Sequence, residues 1–104
     1  MLTVDAAFDR IGSALKQRGY AVTSDVRPAD SSGDRTVLFG SQDMSVRVQW
    51  QGKARLLTLQ VEVKGDWVEF ARRGFGPQGL EETAVEALVR AVRNEVAETS
   101  TDAD

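Results

Sequence analysis

Cysteine and histidine are both missing from this sequence of 104 residues. Without thiols no disulfide forms, and without thiolates or imidazoles the usual zinc ligand sets are gone. The same absences remove cysteine nucleophiles, histidine general bases and Ser-His-Asp triads. Any chemistry has to rest on Asp, Glu, Lys, Arg, Tyr or Ser, and these form no catalytic or cofactor motif. The sequence reading is therefore a non-enzyme with no cofactor and no metal. Lack of cysteine suits a reducing cytosol. No apolar run approaches about 18 residues, so no membrane-spanning helix is expected. The opening Met1-Leu2-Thr3-Val4-Asp5 lacks the basic and apolar regions of a signal peptide. A cytoplasmic location follows as the expectation.

Excess charge is also lacking. The net charge is −3, yet Glu98, Asp102 and Asp104 lie in the last seven residues, where there is no Lys or Arg. Without those three acids, 13 acidic residues face 13 basic ones. A nucleic-acid binder needs a basic face, so binding to nucleic acid is not expected.

The length is one domain's worth, enough to bury roughly 60–70% of the unfolded chain's surface without staples. Val4, Phe8, Ile11 and Leu15 recur at helical period. Thr3 suits the N-cap, Asp5 the first turn and Gly19 the stop, with Lys16 and Arg18 at the end that favours cations. Tyr20, Val22 and Val26 then alternate with polar residues as in a half-buried strand. Pro28 ends it, and residues 28–34 read as a polar, solvated loop whose acids do not make a calcium pattern.

Three hairpins follow, predicted with two-residue turns at Ser41-Gln42, Gly52-Lys53 and Gly65-Asp66. These registers set Val37 against Val46, Val48 against Leu57, and Val63 against Val68. Apolar residues then meet apolar residues on one face throughout, and a one-residue slip would invert every side chain. A last helix is expected from near Leu80, with Val85, Leu88, Val89, Val92 and Val96 as its stripe and Glu86–Arg90 as an i,i+4 pair. The fold class is thus α+β: a five-stranded antiparallel meander with an N-terminal and a C-terminal helix on one face. Residues 1–98 make the single domain, and 99–104 are expected to be a disordered acidic tail.

That arrangement leaves the other sheet face open, and the registers assign its residues. Leu38, Arg47, Gln60, Glu62, Trp67, Glu69 and Arg73 are the candidate partner-binding set. Leu38, Leu56 and Trp67 stand on it as isolated large apolar groups. An exposed tryptophan points to a binding surface, whereas the plain alternative is a solvated sheet face. Glu62 is placed opposite Glu69, a like-charge pair that needs compensation, and Lys64 is placed beside Trp67 as a cation–π partner. Arg72 is placed inward, opposite Leu59, unless a bulge at Ala71-Arg72 redirects it.

Residues 74–79 read Gly-Phe-Gly-Pro-Gln-Gly, a literal G-x-G-x-x-G. The dinucleotide reading fails because no second parallel strand follows the helix. Arg72, Arg73, Gly76 and Gly79 remain as an alternative anion-binding set at the start of the last helix. The preferred expectation is a protein-interaction module that acts through its open sheet face or as a homodimer. Small α+β proteins of this layout include bacterial secretion chaperones and toxin-immunity proteins, which is an analogy of fold alone.

Overall fold

A computed structural model describes residues 2–26, 33–42, 44–77 and 79–96. The expected loop at 28–34 lies outside these except for Gly33 and Asp34, and the expected tail at 99–104 lies wholly outside them. The chain order is α1 (Val4–Gln17), β1 (Ala21–Val26), β2 (Arg35–Gly40), β3 (Ser45–Gln51), β4 (Leu56–Val63), β5 (Asp66–Gly74) and α2 (Glu82–Glu95). The strands form one antiparallel sheet in the order β1-β2-β3-β4-β5, the α+β meander that the periodicity implies.

Helix α1 begins where Thr3 accepts a hydrogen bond from the Ala6 N–H at 3.0 Å. It ends at Gly19, whose φ of 91° lets the Tyr20 N–H turn back to the Leu15 carbonyl. Helix α2 lies beside α1 and runs the same way. Arg10 reaches Glu82 at 2.8 Å and Glu86 at 3.0 Å, and further along Arg18 donates to the Arg93 carbonyl at 2.6 Å. The expected Glu86–Arg90 pair gives way to this contact between helices. Leu2 and Leu80 pair as a short bridge at the start of both helices. The buried faces of α1 and α2 meet Val37, Phe39, Val46, Val48, Trp50, Leu57 and Leu59 from one side of the sheet.

Each hairpin register differs from the predicted one by two residues. Val37 pairs with Val48, Val48 with Leu59, and Val61 with Val68. A two-residue slip keeps every side chain on its face, so alternation alone does not distinguish the registers. The connections decide between them. Lys64 and Gly65, with φ of 53° and 88°, form the two-residue turn between β4 and β5; positive φ at both positions matches the hairpin's twist. The other two hairpins close over four residues, 41–44 and 52–55.

Both edge strands carry a bulge. In β1 it falls between Val22 and Ser24, so Val22 pairs with Phe39 but Asp25 pairs with Val37 and Val26 with Thr36. Val26 therefore leaves the core face, contrary to the alternating reading, and is 60% exposed. Val22 stays on the core face but is 46% exposed, because β1 lies at the margin of the helical cover.

Asp25 gains from the same bulge. It reaches the core face beside Arg35, whose side chain is only 7% exposed. The guanidinium donates to both Asp25 oxygens, at 3.1 and 2.9 Å, and to Asp5 of α1 at 2.7 Å. It also stacks 4.5 Å from the centre of the Phe8 ring. These hydrogen bonds to Asp25 raise the arginine's pKa despite the opposing effect of burial. Removing one partner of a buried charge costs more than the pair contributes net. Asp25→Asn is expected to lower unfolding free energy by about 1–2 kcal/mol. Asp5→Asn, at a more exposed carboxylate that makes one bond to Arg35, should cost under about 1 kcal/mol. Urea unfolding of the two variants checks the order; equal losses would mean Asp25 is not the principal partner.

Candidate interaction surface on the open sheet face

The face turned away from the helices is organised by the pairings just described. One row across it is Ser24, Leu38, Arg47, Gln60 and Glu69, and the next is Val26, Thr36, Gln49, Thr58 and Arg72. Trp67 pairs with Glu62 at the end of the β4–β5 hairpin. Six of the seven candidate partner-binding residues lie on this face: Leu38, Arg47, Gln60, Glu62, Trp67 and Glu69. Arg73 does not. It pairs with Leu57, a core-facing residue, and projects from the margin of the other face.

The contacts within the face differ from those expected. Glu62 and Glu69 are not opposed; the two-residue shift sets Glu62 against Trp67 and Glu69 against Gln60. The partner of Trp67 is Arg47, whose guanidinium carbon lies 4.6 Å from the ring centre, rather than Lys64. Arg47 Nε also donates to Gln60 Oε1 at 2.6 Å. The guanidinium is thus held between a ring that attracts it and an amide that orients it. Trp67 is half-buried on a face that is largely polar but also carries Leu38 and the exposed Val26.

Arg72 comes onto this face through the bulge in β5. Phe70 is the extra residue, between Glu69 opposite Gln60 and Ala71 opposite Leu59. The bulge alternative therefore holds, one residue earlier than expected, and Arg72 stands opposite Thr58 instead of Leu59. There it makes a two-pronged bond to Glu69, at 2.7 and 2.9 Å. Phe70 and Ala71 both pack on the core. Beneath the long polar side chains Thr58 is buried, its hydroxyl 3.5 Å from the Gln49 carbonyl. Their stems thus cover part of the sheet.

The residues of the alternative anion site are not gathered at the connector. Arg72 is bonded to Glu69, and Arg73 projects from the opposite face. At the connector a different arginine is present: Arg55 Nε donates to the Gly76 carbonyl at 2.7 Å. Gly76 thus offers an acceptor to a cation rather than a donor to an anion. The Gly79 N–H points back to the Gly76 carbonyl at 3.5 Å. Arg55 also lies over Trp50, which packs near Phe75, so the connector is pinned to the β3–β4 turn. Alternation gave no signal for this role of Arg55, which depends on its φ of 50° in the turn.

Among the described residues, no group of three or more His, Cys, Asp or Glu side chains is placed to hold a metal ion. None of the helices there is long and apolar enough to cross a membrane.

The hydrogen bonds from Arg72 hold the Glu69 carboxyl below its ordinary pKa. A depressed carboxylate pKa contributes stability that is present above the unfolded value and lost as pH falls through the folded one. The two-pronged bond should therefore persist at neutral pH and open in the acid range. In an NMR titration of side-chain carboxyls, Glu69 is expected to titrate below an ordinary glutamate and to return to the ordinary range in Arg72→Gln. An unshifted Glu69 in the unmodified chain would show that the pair is not populated in solution.

Set beside known proteins, the chain matches no family model, no curated protein and no solved structure at a significant level.

Proposed function

We propose that this chain is a non-enzymatic interaction module that self-associates through the open face of its sheet. The observation that carries this reading is Trp67, half-buried and held by Arg47 on a face that no other part of the described chain covers. Tryptophan and arginine are the residues most often found at the centre of binding surfaces. Their mutual stacking fixes both side chains before a partner arrives, which lowers the ordering cost of association.

The choice of a second copy as partner rests on charge. The face carries Arg47 and Arg72 against Glu62 and Glu69, so it presents both signs equally. A surface of that kind is complementary to its own rotated copy and selects neither a strongly acidic nor a strongly basic partner. The edges of the sheet are poorer candidates. The bulges in β1 and β5 twist both edges away from strand addition.

Size sets the expected strength. Five strands about 4.8 Å apart and about seven residues long cover roughly 24 by 23 Å in projection. That is below the approximately 800 Å² per partner of a standard interface. A reversible dimer with a dissociation constant in the range of about 1–100 μM is expected.

Sedimentation velocity across a concentration series tests this. Trp67→Ala and Arg47→Glu should each weaken the dimer by about tenfold or more, with thermal stability nearly unchanged. Arg73→Glu, on the other side of β5, should leave the dimer intact. A chain that stays monomeric at several hundred micromolar, or a dimer that Arg73→Glu breaks and Trp67→Ala spares, would overturn the reading.

A further inference from the structure

Along β4 and β5 the rows of the open face run in a fixed order. From the hairpin end they carry Glu62 and Trp67, then Gln60 and Glu69, then Thr58 and Arg72, and last Leu56 and Gly74. A large apolar side chain thus stands at each end, Trp67 at one and Leu56 at the other, both half-buried. Three row spacings separate them, about 20 Å at about 3.4 Å per residue, too far for contact within one chain. Beside Leu56 the surface is bare, because a Cβ on Gly74 would meet nothing within 4 Å. The acid and the base of the two middle rows are bonded to each other through Arg72 Nε and Nη2. A guanidinium has more N–H donors than those two bonds use, so Arg72 can serve a second carboxylate.

A face that pairs with its own copy does so about a two-fold axis between the two sheets, and each contact then occurs twice. Sheets packed face to face keep their strands within about 30° of each other. The axis therefore runs along the strands or across them. Along β3 it would set Arg47 against Arg47, and along β4 it would set Glu62 against Glu62. Between those strands it would press the Glu69 carboxylate onto Leu38. Across the strands, an axis on either middle row would oppose Glu69 to Glu69 or Arg72 to Arg72. Nearer the hairpin it would press Trp67 onto Glu69. Midway between the two middle rows these conflicts are absent. Glu69 there faces Arg72 of the second copy, and Arg72 faces its Glu69. The same axis carries the row of Trp67 onto the row of Leu56 and Gly74, because the two end rows and the two middle rows share one midpoint.

We infer that the second copy docks in this antiparallel arrangement, with Trp67 seated on its Leu56 and Gly74, and with Glu69 and Arg72 as the residues that set orientation. The inference rests on the self-association proposed above and adds to it a seat at the far end of β4 and β5. Trp67 and Leu56 leave water together at both ends of the contact. In the middle four charges of alternating sign meet, and each Arg72 keeps its own Glu69.

The test uses the full chain, which has no cysteine and two tryptophans. Trp50 lies at the same end of the sheet as Leu56, and Trp67 lies at the other. A nitroxide on Lys53→Cys, in the exposed turn before Leu56, is carried by a copy without isotope and mixed with an isotope-labelled copy. Broadening in the labelled copy then comes only from its partner. The indole N–H of Trp67 should broaden and that of Trp50 should be spared. Gly74→Glu, which meets open space in the single chain, should weaken the dimer about tenfold or more in sedimentation while the amide spectrum stays native. Glu69→Arg and Arg72→Glu should each weaken it by about tenfold or more, and an equimolar mixture of the two should form a heterodimer within about threefold of the original affinity. A dimer in which the nitroxide spares Trp67, a dimer indifferent to Gly74→Glu, or a mixture no tighter than its components would overturn the arrangement and leave self-association standing. A chain that stays monomeric at several hundred micromolar would overturn both.

Discussion

Two helices have to cover one face of five strands, and their combined footprint falls just short of the sheet. Side by side at about 8–10 Å, a helix pair spans roughly 20 Å, whereas five strands occupy about 24 Å. The central strands are therefore sealed, as the complete burial of Val46, Leu57 and Leu59 shows. The shortfall appears at the margins of the same apolar row. Val22 in β1 is 46% exposed, and Val68 in β5 is 47% exposed. Between them Phe39, Val46 and Val61 continue the row under the helices. The exposed margin at β1 and the bare end of the β4–β5 hairpin are thus two consequences of one packing constraint.

The two margins are finished differently. At β1 the chain places a buried guanidinium where the apolar layer would otherwise be open. Arg35 fills the corner with its stem, stacks on Phe8 and ties β1 to α1 through Asp25 and Asp5. At β5 the bulge at Phe70 keeps two apolar residues on the core while it turns Arg72 outward to Glu69. Each bulge thus resolves a conflict between local sequence and the face it should occupy. Each also twists an exposed edge, where unpaired backbone groups invite other chains.

The fold was legible in the sequence because helical and alternating periods are set by burial, and burial is what these residues accomplish. The faces of β2, β3 and β4 were legible for the same reason. Register was not, because Val37 meets an apolar partner whether it faces Val46 or Val48. The deciding information lies in the turns: the left-handed pair Lys64 and Gly65, and the four-residue connections at 41–44 and 52–55. The bulge in β1 was hidden more deeply. Asp25 and Val26 read as the continuation of a regular strand, and the sequence reading drew nothing from Arg35, the core-facing charge that Asp25 comes across to meet.

Those differences change the chemistry of the candidate surface more than its membership. Leu38, Arg47, Gln60, Glu62, Trp67 and Glu69 stay on the open face because a two-residue shift preserves the face. Their partners change, and with them the sign of the local interactions. An opposed pair of glutamates would have left an uncompensated charge seeking a cation. Instead Glu69 is neutralised by Arg72, and Arg47 is held between Trp67 and Gln60. Charges that are already satisfied give an incoming surface little new Coulombic energy, since breaking one pair to form another is close to an even exchange. What remains to be gained is the removal of Trp67, Leu38 and their apolar neighbours from water. The association proposed for this face would thus be driven by a small apolar centre, with the ion pairs around it setting orientation rather than strength.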